Sequence, residues 1–177
     1  TQYREPGNYD WEKRHKEILN INQMDPPKAV FLANSIVHFW GGLPETKLRR
    51  EQASWDQFFT PSGLKNYAYG WDRIENVIWR VYHGELDEFE AEKVLVMIGT
   101  NNLHLNTDEE IIEGLHLLMK AIKIRQPTAK ITLMGLLPRR DYEARIVKLN
   151  FQIAQLAGKV SVLSLIHISE PTRRYSI

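Results

Sequence analysis

Cysteine is absent from the 177 residues. That excludes a disulfide scaffold, a cysteine-ligated zinc site and a cysteine nucleophile. A dominant charge is missing as well: 23 Lys and Arg against 22 Asp and Glu leave a formal net charge of +1. No strong field of either sign exists to hold nucleic acid or an anionic membrane, so neither is expected as a partner. Apolar runs are short. Residues 94–98 are strand-sized, far below the roughly 18 residues a membrane helix needs, and no membrane span is expected. No His, Asp or Glu cluster has metal-ligand spacing, and no Gly-rich loop of the P-loop or dinucleotide type occurs, so no metal or cofactor is expected. The chain opens on Thr1 rather than Met, so the natural start is expected to lie outside it, and the compartment stays open.

What is present is an ordinary globular composition, with 43% apolar and 25% charged residues. The length fits one domain with a sizeable core. Short β-branched or aromatic runs occur at residues 29–33, 64–69, 93–98, 130–134 and 160–163, and each reads as a strand. Between them lie amphipathic stretches. Ile74, Val77, Ile78 and Val81 share one helix face. Thr107 and Glu110 have capping-box spacing, followed by a stripe of Ile111, Leu115, Leu118, Met119 and Ile122 that Pro127 stops. Ile146, Leu149, Ile153 and Leu156 form another stripe, and residues 9–22 predict a helix packed outside the sheet. This rhythm predicts parallel βαβ units with helices on both faces. In such sheets ligands sit beyond the carboxyl ends of the strands, so the loops there are the place to look for chemistry.

Three of those loops carry candidates. After the first strand, Ser35 stands where strand turns to helix, preceded by Asn34 and followed by His38. A serine there can present its hydroxyl to a cleft, or it can simply cap a helix. After the second strand comes Gly70-Trp71-Asp72, which reads either as backbone amides approaching a ligand or as a tight turn with Asp72 in the first helical turn. After the third comes Gly99-Thr100-Asn101-Asn102, where an amide side chain can donate to a substrate oxygen or serve an Asx turn. Each is weak alone. Together they suggest a serine nucleophile with an oxyanion hole drawn from two neighbouring loops.

On these three blocks the sequence resembles the SGNH, or GDSL-type, serine hydrolases. The stretches from Trp79-Arg80 through Gly84-Glu85-Leu86, and Arg125-Gln126-Pro127 with residues 135–139, are similar to one branch of that family. It contains the catalytic subunits of platelet-activating-factor acetylhydrolase and related bacterial acylhydrolases. The likeness covers about residues 26–162. It implies a flavodoxin-like three-layer α/β/α fold with a parallel sheet of about five strands. It also implies that Ser35 is the nucleophile and that its own amide, an amide of the Gly70-Trp71 turn and the Asn101 side chain form the oxyanion hole. Asn34, His38, Asp72 and Asn102 are the accompanying candidates for substrate binding. Three positions depart from the family pattern. Ala33 and Asn34 replace Gly and Asp, and Trp71 stands where the second block has its glycine, so that its indole is expected to crowd the site.

A serine hydroxyl needs a base. The family draws it from an Asp-x-x-His block, and no such block follows residue 102. The nearest spacing is Ser164 with His167, inside a tail that looks like a translated sequencing adapter. The expected organisation is therefore an N-terminal helical extension over residues 1–25, a hydrolase-like domain over 26–162 that has lost its last block, and a foreign tail over 163–177. His104 is expected on a surface loop, and His15, His83 and His116 on solvated helix faces. The activity the resemblance implies is an esterase or acylhydrolase acting on a short acyl ester, such as acetyl, of a carbohydrate or small lipid. Two rivals stay open: a non-catalytic binding module whose Trp40, Tyr69 and Trp71 stack on sugar rings, and a mononucleotide binder. Trp11, Tyr67 and Tyr82 are left between core packing, a ligand groove and a homodimer interface.

Overall fold

A computed structural model describes residues 1–4 and 6–160 and the backbone of 163–165. Five parallel strands form one sheet: β1 (Ala29–Ala33), β2 (Leu64–Asn66), β3 (Lys93–Met97), β4 (Lys130–Met134) and β5 (Leu163–Leu165), in the order β2-β1-β3-β4-β5. The helices are α1 (Trp11–Met24), α2 (Ser35–His38), α3 (Gln52–Phe58), α4 (Ile74–Tyr82), α5 (Asp108–Arg125) and α6 (Glu143–Lys159). This is the doubly covered α/β sheet that the alternation of runs and stripes predicts.

Side chains alternate across the strands, and the two faces build two cores. Val30, Leu32, Val94, Val96, Ile131 and Leu133 join the stripes of α4, α5 and α6 and the Trp11 and Ile18 of α1. Ala29, Phe31, Ala33 and Met97 point the other way, toward Val37 of α2 and Trp55 of α3. The α5 capping box forms as predicted: Thr107 Oγ1 accepts from Glu110 N at 3.2 Å, and the Glu110 carboxylate accepts from Thr107 N at 2.9 Å.

Four expectations shift. The first helix starts at Trp11 rather than residue 9, because the Asp10 side chain caps it by accepting from Lys13 N at 2.9 Å. β2 is only three residues long, since Asn66 Oδ1 accepts the Ala68 N–H at 3.0 Å and ends the ladder where a longer strand was expected. α3 has no counterpart in the sequence reading; only Trp55 of its seven residues is buried, so it shows no stripe. Val160 ends α6, and the last strand begins at Leu163. Trp11 and Tyr67 are fully buried, which returns both to the core, while Tyr82 is exposed. The expected foreign tail includes β5; its remaining residues, His167 among them, lie outside the described residues.

β1 has β2 on one side and β3 on the other. The chain thus reverses direction across the sheet at the β1/β3 boundary, which in open α/β sheets is where a crevice forms beyond the strand ends.

Candidate functional site

A cleft of about 220 Å³ opens at that boundary, between the loops that follow β1, β3 and β4. Asn34 and Ser35 line it from the first loop, Thr100 and Asn101 from the second, and Leu137, Pro138 and Arg139 from the third. Ser35 is the first residue of α2 and is partly exposed. Asn34 is the N-cap, its side chain accepting from Ile36 N at 3.0 Å. At the other end of this short helix, Asn66 Nδ2 donates to the carbonyls of Val37 (2.7 Å) and Gly41 (2.6 Å). The serine is therefore held at the turn by polar contacts at both ends of its helix rather than by helix propensity, which four residues cannot supply.

Asn101 is almost fully buried, and its Nδ2 donates to the carbonyl of Asp72 at 3.0 Å. One N–H is used there; a side-chain amide has two, and the second can serve a substrate oxygen. This bond ties the third block to the second, so the three loops singled out in the sequence meet at one sheet edge.

The residues of the second block do not line the cleft; they stand behind Asn101. The Gly70 N–H donates to His38 Nδ1 at 2.8 Å, and the Gly70 carbonyl accepts from Tyr9 Oη and Gln2 Nε2, each at 2.6 Å. Gly70 therefore has no donor to offer a substrate, and Trp71 carries the other amide of the Gly70-Trp71 turn. Trp71 adopts φ 61°, the left-handed region that favours glycine. Its indole is 38% exposed with the Arg4 guanidinium 5.5 Å from the ring, so it does not crowd the cleft as expected.

Three other expectations are corrected. His38 neither lines the cleft nor faces Ser35. It is fully buried, stacked on Phe39 at 4.5 Å and edge-on to Tyr9 at 4.5 Å. Burial, with the cations Arg14 and Arg80 adding to it, holds the imidazole neutral far below its usual range. Because Nδ1 accepts from Gly70, the proton sits on Nε2, which is buried with no hydrogen-bond partner among the described residues. Asp72 caps nothing; Arg73 is the N-cap of α4. The Asp72 carboxylate is fully buried, accepting from Trp11 Nε1 at 2.8 Å and from Arg80 Nε at 2.9 Å. Burial pushes it up to about 6 against the pull of Arg80. Asn102 braces the structure: its Oδ1 accepts from Ile74 N at 3.1 Å, and its Nδ2 donates to Glu75 and Asn106, both at 3.0 Å.

Sequence reading missed the network beneath the second block. Arg80, with its side chain fully enclosed, pairs with both Asp72 and Glu85, and lies 3.9 Å from the ring centre of Tyr69. Burial opposes its charge, but Glu85 and then Asp72 outweigh that, so it stays protonated. His15 Nδ1 lies 2.8 Å from Glu85, so this histidine is not solvated as expected. Arg14 donates to the carbonyls of Asn66, Ala68 and Pro44 at 2.8–3.0 Å. On a helical wheel these residues look like ordinary surface charges; only their coincidence with buried faces marks them. His104 and His83 are exposed, and His116 is half-buried beside Glu113. Tyr69 is fully buried and Trp40 packs on Trp55 and Phe59, which removes both from a sugar-stacking platform. Among the described residues no His lines the cleft, no cluster of His, Asp and Glu could hold a metal ion, and no helix is long and apolar enough to cross a membrane.

No family model matches the chain. Curated relatives do. Platelet-activating factor acetylhydrolase IB subunit alpha2 of Homo sapiens is 31% identical over 162 residues, covering 92% of this chain and 66% of the relative. The alpha1 subunit of the same organism is 29% identical over 150 residues, covering 85% of this chain and 61% of the relative. The chain thus spans just under two-thirds of the length of these relatives. Among solved structures, a GDSL-like lipase from Bacteroides thetaiotaomicron superposes with TM-score 0.69 at 16% identity, covering 89% of this chain and 77% of that one. A psychrotrophic esterase from Pseudoalteromonas, inhibited by monoethylphosphonate, gives TM-score 0.61 at 15% identity over 78% of this chain and 76% of that one. With its three blocks gathered at one sheet edge and these relatives beside it, the chain belongs with the SGNH, or GDSL-type, hydrolases.

Proposed function

We propose that the cleft is the acyl-transfer site of a serine esterase, with Ser35 as nucleophile. The observation that carries this reading is that Ser35 and Asn101 line one cleft while Asn101 is bonded to the second block. A carbonyl entering there meets the Ser35 hydroxyl. The oxygen that becomes negative on attack is expected to meet the Ser35 amide at the start of α2 and the Asn101 side chain, the two cleft-lining donors. Donors held in place before the reaction stabilise that charge with no reorganisation, which is where most of the rate in acyl transfer arises. The adduct collapses to an ester on Ser35, expelling the alcohol with a proton, and water then releases the acid. The cleft is smaller than the ~300 Å³ at which drug-sized ligand sites begin, which favours a short acyl group over a long fatty chain.

The proton from Ser35 needs an acceptor. His38 is walled off and engaged with Gly70, and no other described histidine lines the cleft. The 177-residue chain is therefore expected to hydrolyse p-nitrophenyl acetate slowly. Ser35→Ala abolishes the part due to the site, and added imidazole, a diffusible base, raises that part in the wild-type chain alone. Asn101→Ala lowers it by about 100-fold or more, the usual worth of one oxyanion donor. Identical rates for the wild type and Ser35→Ala, with and without imidazole, sink the esterase reading. They leave a binding cleft without chemistry.

A further inference from the structure

We propose that this cleft selects esters bearing a second, negatively charged group, and that Arg139 is the residue that selects them. The proposal rests on the Ser35 reading above and extends it to substrate class.

Among the described residues, Arg139 is the sole charged one lining the cleft, and no Asp or Glu of that lining neutralises it. The rest of the lining is apolar or neutral amide and hydroxyl. The guanidinium is held at two points: it donates from Nη1 to the Thr100 carbonyl at 2.8 Å, and it lies 5.3 Å from the ring centre of Tyr142. Pro138, immediately before it, fixes one backbone dihedral of the loop after β4. The hydrogen bond uses one of five N–H donors, and an arginine so anchored loses little further freedom on meeting a carboxylate or phosphate. A solvated arginine serving only solubility needs neither anchor.

Topology sets the length of the ligand. Ser35 follows β1 and Arg139 follows β4, with β3 between them. Two strand spacings amount to ~10 Å. Subtracting ~3 Å for the hydrogen bond leaves ~7 Å from the ester carbonyl to the anion. An acyl chain of five or six carbons ending in a carboxylate spans this; a shorter diacid does not.

A competing role exists for the same contacts. By holding Thr100, Arg139 could merely brace the loop that carries Asn101. A brace affects every ester alike, whereas a selecting residue changes the ratio between esters. The test therefore measures, in the full chain, the Ser35-dependent kcat/KM for p-nitrophenyl acetate, for the p-nitrophenyl hemiesters of malonate, glutarate and adipate, and for the p-nitrophenyl ester of 4-phosphonobutyrate. The expected result is preference for glutarate or adipate hemiester, or for the phosphonate, over acetate and malonate. The stronger of the two arms identifies the anion as carboxylate or phosphate. Arg139→Met lowers the anionic-to-neutral ratio by about 10- to 100-fold, the worth of one charge-assisted contact, and Arg139→Lys restores part of it. A ratio unchanged in Arg139→Met overturns the proposal. Calorimetric titration of glutarate and of neutral dimethyl glutarate into the Ser35→Ala chain supplies a readout without catalysis. Glutarate binding that Arg139→Met removes upholds the anion site even if no ester is turned over and the esterase reading falls. Equal binding of the diacid to both proteins counts against it.

Discussion

Trp71 shows how one residue can sit where its side chain is least at ease. A bulky residue at φ 61° costs ~1–2 kcal/mol relative to the right-handed region, and glycine at such a place costs nearly nothing. Against that gain stand the loss of an exposed cation–π contact with Arg4, ~0.5–1 kcal/mol, and the greater freedom of a glycine in the unfolded chain, ~0.5–1 kcal/mol. Loss of the partly buried indole surface adds to these costs, so Trp71→Gly is expected to destabilise in urea unfolding despite relieving the backbone. Trp71→Val, β-branched at the same φ, destabilises by more than the glycine variant does. Nearby, His38 is neutral in the folded protein well below its unfolded value of 6.5, because it is buried beside Arg14 and Arg80. Its contribution is therefore complete above pH 6.5 and is lost as the pH falls below it, where only the unfolded chain takes up a proton. The slope approaches ~1.4 kcal/mol per pH unit. His38→Asn keeps an acceptor for the Gly70 amide and removes the titration. The gap between the two proteins' stability curves should narrow by that slope from pH 6.5 toward 5; parallel curves refute the assignment.

At the level of elements, α1 and the few residues before it do more than cover the sheet. Gln2 and Tyr9 both donate to Gly70, Trp11 donates to Asp72, and Arg14 collects three carbonyls around the end of β2. Residues 1–25, which the sequence pattern marks as an extension, thus fix the turn that stands behind Asn101. The amphipathic stripes of α4, α5 and α6 were legible because each buries a regular row against the sheet, and period carries that information. α3 was not legible, since one buried tryptophan makes no period. The polar ties of the N-terminal segment were hidden for a different reason: a hydrogen bond between residues 9 and 70 leaves no mark on local spacing. Removing one such tie tests its weight. Tyr9→Phe keeps the ring beside His38 and takes away one of the two donors to the Gly70 carbonyl. The expected cost is ~1 kcal/mol of global stability. Faster amide exchange at residues 70–72 than in α5 places that cost in the turn; uniform acceleration shows it is not local.

For the whole molecule, one buried charge cluster joins the layers. Arg80 comes from α4, Asp72 from the loop before it, Glu85 from the loop after it, and His15 and Arg14 from α1. The parallel, doubly covered sheet could be read from chain rhythm, because parallel crossovers and apolar strands leave few alternatives; its strand order could not. The convergence of Ser35 and Asn101 could be read too, because the loops after β1 and β3 flank the reversal point. The charge cluster could not, since sequence shows which residues are charged but not which are enclosed. Its two arginines and two carboxylates balance only when all four are present. Arg80→Met keeps the length and apolar bulk of the side chain and deletes the cation, leaving Asp72 and Glu85 enclosed without a partner. Breaking a buried pair in this way costs ~3–5 kcal/mol, far more than the pair itself contributes, because the stranded charge must be protonated or hydrated. Arg80→Lys keeps a charge but has no planar fork to reach both carboxylates and the Tyr67 carbonyl at 3.1 Å together. Both variants should therefore unfold at lower urea, with Arg80→Met the weaker of the two at pH 7. The double variant Arg80→Met with Glu85→Gln should recover part of the loss by removing one stranded charge. If the double variant is less stable than Arg80→Met alone, Glu85 is held by His15 and Tyr69 rather than by Arg80, and the cluster is two separate pairs instead of one network.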